Sequence, residues 1–144
     1  MILKKMVVLF ILGVSFTSIA AQAKFLKSGS EMKELSQKVT QLFRDSKVPE
    51  AVTIMKPYWP FPENELDGLV EKTVNNLNSV SERFGRAVGI SEGKEEVIKD
   101  FAIKETYFVK YQNSAIRIIF IYFKREEGWI INSFKWDDKF YEEF

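Results

Sequence analysis

Apolar residues recur along this chain with two different periods. From Ser30 to Arg44, SEMKELSQKVTQLFR places Met32, Leu35, Val39, Leu42 and Phe43 three, four, three and one residues apart, which aligns them as one stripe of an α-helix. Ser30 is positioned to cap that helix, with Glu31, Lys33, Glu34, Gln37, Lys38 and Gln41 left for water. Pro49 suits the first turn of a short second helix running to Met55, before Pro57. The prolines of PYWPFP, Pro57 to Pro62, exclude regular helix there and predict an aromatic connector that lids one end of the core. A third helix is predicted from Glu63 to Phe84. Leu66, Leu69, Val70, Thr73, Val74, Leu77, Val80 and Phe84 keep helical spacing, and Gly85 stands where a left-handed cap belongs.

After Gly89 the texture becomes β-rich. EEVIKDF starts a sheet, KETYFVKYQ is a clearer strand, AIRIIFIYFKR is the strongest, and GWIINSFKW closes the set. Asn113-Ser114 and Glu126-Glu127-Gly128 read as short turns, so the last three strands form an antiparallel meander. Helices first and strands last predict an α+β fold, with a sheet wrapped against the long third helix. Alternation puts Arg117, Ile119, Ile121 and Phe123 on one face of the third run and Ile116, Ile118, Phe120 and Tyr122 on the other. The same parity puts Trp129 and Trp136 on opposite faces of the last strand.

The first residues change where this domain is expected to work. Lys4 and Lys5 precede an apolar stretch from Met6 to Val14, followed by small residues and Ala21-Gln22-Ala23. That is the pattern of a cleavable secretory signal, residues 1–23, leaving a single domain over residues 24–144. The apolar core is shorter than the ~20 residues that cross a bilayer, and no cysteine follows it to take a lipid. The expectation is a soluble periplasmic protein without a membrane anchor after cleavage. Without Lys4 and Lys5 the chain has 19 basic and 20 acidic residues, a balance that offers no electrostatic case for nucleic acid. Cysteine and histidine are both absent. Their absence removes disulfides, thiolate or imidazole metal sites and the nucleophile-histidine triads, so no metal or cofactor is expected.

Three segments together resemble a known family: ERFGRAVG at Glu82 to Gly89, IRIIFIYFKREEGW at Ile116 to Trp129, and INSFKWDDKF at Ile131 to Phe140. They look like the C-terminal half of small exported bacterial proteins of the NTF2-like (cystatin-like) superfamily. The resemblance covers the chain from Glu82 at motif level and residues 24–144 only as an architecture. It implies N-terminal helices on a strongly curved antiparallel sheet, a cone. It implies little about function, because this fold hosts isomerases, dehydratases, transport factors and plain binding modules. Enzymes of the superfamily commonly use an acid or an acid-histidine pair in the cone. Histidine is missing here and no catalytic motif matches residue by residue, so no catalytic residue is carried over.

The candidate chemistry is therefore sparse. Asp137 and Asp138 are sequence neighbours whose side chains diverge, so they do not form a dyad by themselves. They read as a strand end, one capping KFYEEF and the other meeting solvent or a lysine. Arg117 either pins an anionic ligand at a cone mouth or pairs with a neighbour such as Glu105. If the cone holds a pocket, Tyr107, Tyr111, Arg117 and Trp129 are the residues expected to line it. The leading reading is a non-catalytic module that binds a small apolar ligand or a protein partner, with a homodimer forming through the exposed sheet face. The alternative is an isomerase- or hydratase-like enzyme with an acid such as Asp137 or Asp100 beside Tyr107.

Overall fold

The computed structural model describes residues 24–144; the expected signal segment lies outside the described residues. The element order is α1 (Gly29–Arg44), α2 (Val48–Met55), a 3-10 turn (Lys56–Tyr58), α3 (Glu63–Phe84), β1 (Ala87–Ile98), β2 (Ala102–Tyr111), β3 (Ala115–Arg125), β4 (Gly128–Asp137) and a closing 3-10 turn (Phe140–Glu143). The strands pair antiparallel in sequential order, and the three helices pack on one face of the curved sheet.

The helices form where the spacing predicts, with one shift at a terminus. Ser28, two residues before Ser30, caps α1 by accepting a hydrogen bond from Glu31 N–H. The buried face of α1 is Met32, Ser36, Val39, Thr40 and Phe43, while Leu35 and Leu42 are only partly covered. Two small polar residues thus sit in the contact with the sheet. The connector behaves as a lid: Trp59 is buried, with its ring edge-on to Phe134 at 5.9 Å, and Phe61 stays outside. At the end of α3, Gly85 takes a φ of 85°.

The sheet departs from expectation at both edges. β1 begins at Ala87, well before EEVIKDF, because Ala87 to Glu92 pairs with Tyr107 to Tyr111 despite its glycine, Gly89, and its exposed side chains. In β4 the pairing passes from Ile121 opposite Ser133 to Tyr122 opposite Ile131. Asn132 is therefore an extra, bulged residue. It reverses the parity, so that Trp129, Ile131, Phe134 and Trp136 all pack against the helix-side core. The two tryptophans share a face, contrary to simple alternation.

Ahead of α1, Leu26 exchanges both backbone hydrogen bonds with Trp129, at 2.9 and 2.8 Å. Gly128 makes that approach feasible. Its φ is 144°, and a Cβ there would lie 2.7 Å from the Leu26 carbonyl oxygen.

Candidate functional site

The strand alternation sorts the polar residues onto two faces. On the helix side, β2 contributes Glu105, Tyr107 and Tyr111, and β3 contributes Phe120 and Tyr122. Tyr122 and Phe120 stack in parallel at 6.1 Å, Tyr107 meets Phe120 edge-on at 5.9 Å, and Phe84 from α3 meets Tyr111 at 6.1 Å. These rings fill the interior of the cone.

A small polar group lies among them. Ser36 Oγ and Tyr122 Oη share a hydrogen bond of 2.5 Å, and the Tyr122 hydroxyl also donates to the Met32 carbonyl at 3.2 Å. Tyr107 donates to Glu105 Oε2 at 3.4 Å. Burial raises the Glu105 carboxyl above its ordinary value, with the Ser36 hydroxyl pulling it back. Burial likewise raises all three tyrosines, and the nearby Glu105 adds to this at Tyr107 and Tyr122. They stay protonated as donors. A carboxyl shifted toward neutrality beside phenols is chemistry suited to proton transfer. It is closed off from solvent, however: Glu105 is 4% exposed and Ser36, Tyr107 and Tyr122 are buried, and five surface clefts of ≈420 to ≈580 Å³ are lined by other residues.

The other face carries Arg117. Its Nε and Nη2 donate to the two Asp137 oxygens at 3.1 and 2.7 Å, Nη2 also to Glu142 at 2.9 Å, and Nη1 to Glu143 at 2.8 Å. The guanidinium is 9% exposed, but its cover is only the closing 3-10 turn, so it lies near the surface rather than deep inside. Asp137, and behind it Glu143 and Glu142, hold Arg117 firmly protonated. Burial works to raise the Asp137 carboxyl, but Arg117 and the Lys139 N–H, at 2.9 Å, prevail and hold it below its ordinary value. Asp138 turns away toward Arg83, 3.6 Å distant.

The four residues expected to line one pocket do not converge. Tyr107 and Tyr111 share the inner face, Arg117 is on the outer face, and Trp129 stands at a far corner of the sheet against Leu26. Arg117 pairs across to β4 and the C-terminal turn, not with Glu105. The residues that do assemble are Glu105, which the sequence suggested only as a partner for Arg117, and Ser36, which it did not single out. Glu105 has the parity of Tyr107 and Tyr111, and Ser36 lies four residues from Met32, so the signal was positional.

Helices first, then four antiparallel strands in sequential order curving over them, is the layout that the sequence resembles. The fold is α+β, with helices on one face of a curved antiparallel sheet. Among solved structures, the chain is similar to a provisionally assigned NTF2-like transpeptidase from Campylobacter jejuni, at 13% identity and a TM-score of 0.49, over 69% of this chain and 95% of that one. No protein-family model matches the chain, and neither does any curated protein. Among the described residues, no helix is long and apolar enough to cross a membrane.

Proposed function

We propose that this NTF2-like domain is an exported, periplasmic, non-catalytic binding module, and that its working surface is the outer sheet face, where it meets a second copy of itself. The observation that carries this reading is the asymmetry of the two faces. The helix-side face is covered around Tyr107, Val109, Ile118, Phe120 and Tyr122, all 2% exposed or less. The outer face opens at Ile121 and Phe123 and continues into Ile98 and Phe101, with Ile98 59%, Phe101 42% and Phe123 40% exposed, while Ile119 and Ile130 on the same face are buried. The Phe101 and Phe123 rings meet edge-on at 6.1 Å, which preorganises the patch. An apolar surface on a water-facing sheet is a site of association, and Lys104 and Lys135 on the same face keep the association specific.

The test is native mass spectrometry and sedimentation equilibrium on protein recovered from the periplasm after expression of the full chain. The expected result is a dimer of chains beginning at Lys24, converted to monomer by Ile121→Glu with Phe123→Glu at unchanged circular dichroism. A wild-type monomer at tens of micromolar, or a dimer indifferent to both substitutions, would overturn the reading.

One observation favours catalysis instead: the buried Glu105 carboxyl beside Tyr107. That reading requires α1 to part from β2 so that a substrate reaches the acid. Native-state hydrogen exchange tests it. Opening of α1 far below the global unfolding free energy supports it, whereas exchange of α1 only by global unfolding removes it.

A further inference from the structure

The last six residues, Lys139 to Phe144, fold back over the outer face near the β2–β3 turn. No side chain of the closing 3-10 turn is buried, and Phe144 is 99% exposed. What holds the segment is polar: Glu142 and Glu143 reach Arg117 at 2.9 and 2.8 Å, and Lys94 Nζ donates to the Glu143 carbonyl at 3.3 Å. Beside these contacts lies an apolar cleft of ≈460 Å³. Phe108, Ala115, Ser91 and Gly93 line one side, and Phe140 and Phe144 line the other. Gly93 shapes it, since a Cβ there would lie 2.7 Å from the Phe108 ring, which leans over β1.

Two features mark the segment as an occupant rather than a part of the framework. Asp137 alone meets Arg117 fork to fork, which already neutralises it. Glu142 and Glu143 then bring three carboxylates to one cation, so the tail's anions are in surplus and exchangeable. The rings of the tail line the cleft without filling it, which leaves aromatic surface on both sides facing open space. A segment held by two partly exposed ion pairs and no buried side chain is only weakly fixed.

We propose that Arg117, Phe108, Ser91 and Gly93 form a peptide-binding groove for a partner segment bearing an aromatic residue followed by acidic ones, and that the chain's own Phe140–Phe144 segment masks it. The inference rests on the reading of the outer face as the binding surface and names a partner chemistry for one end of it. A tethered segment competes at a high effective concentration. The apparent affinity for an external peptide falls by the fraction of time the groove is open.

The probe is a fluorescent peptide of the sequence KFYEEF, titrated by anisotropy against the full-length protein. Wild type is expected to bind weakly. A variant whose own segment is disarmed, Phe140→Ala with Glu142→Gln and Glu143→Gln, is expected to bind at least tenfold more tightly. In that background, Phe108→Ala should weaken binding at least tenfold, and Arg117→Gln paired with Asp137→Asn, which leaves no unmatched charge, should abolish it. Equal affinity of wild type and the disarmed variant, indifference to Phe108→Ala, or equal binding of a scrambled peptide would overturn the inference. Native mass spectrometry of the disarmed variant separates the two readings. A dimer with no peptide binding overturns the groove alone, while a monomer with no peptide binding overturns both.

Discussion

At the residue scale, the two buried acid environments have opposite consequences for stability. The folded-state value of Glu105 is raised above its ordinary 4.5. The folded protein therefore holds that proton more tightly than the unfolded chain, and stability falls as pH rises through the window above 4.5. Glu105→Gln is expected to raise the melting temperature at pH 7, with the gain vanishing near pH 4, as read from thermal melts across pH. Asp137 is the reverse case. Its folded value lies below the ordinary 3.8, so its pairing is fully in place above that value and is lost as pH falls through the folded value. Arg117→Gln leaves Asp137 unmatched under a thin cover. The expected cost is about 2 kcal/mol, less than for a deep pair because solvent lies close by, and urea denaturation with and without Asp137→Asn measures it. Tyr122→Phe strips the partner from Ser36 and is expected to cost about 1–2 kcal/mol. None of these pairings was explicit in the sequence. Parity told which strand residues share a face, but it could not tell that residues 142 and 143 return to residue 117.

At the element scale, local rules served well wherever a helix depended on its own residues. The limits of α3, the proline at the start of α2 and the proline-rich lid follow from spacing and from the missing proline N–H. The cap of α1 was displaced by two residues, since Ser28 and Ser30 are equivalent by type and only the path of the chain from Leu26 selects between them. Ser28→Ala is expected to cost about 1 kcal/mol, whereas Ser30→Ala changes little, by chemical denaturation. β4 shows the opposite limit. A single extra residue at Asn132 decides which face Trp129 and Ile131 take, and the composition of GWIINSFKW does not signal it. Deleting Asn132 restores strict alternation and drives Ile131, which is fully buried, toward the outer face. The expected outcome is loss of the cooperative thermal transition.

For the molecule as a whole, the α+β order and the antiparallel meander were both legible, because each follows from a change in hydrophobic period and from turn lengths. Sequence by itself also established the absence of cysteine and histidine chemistry. Tertiary structure alone decided what the two sheet faces do. Side chains that alternation merely separates were brought by the curved sheet either under α1, to close a filled interior around Glu105, or outward, to meet Arg117 and the returning C-terminus. Hydrophobic periodicity is local and survives in the sequence. Register across a bulge, the depth of a packed interior and contacts between residues twenty or more positions apart are fixed by competition for a common core, and only the folded chain resolves that competition.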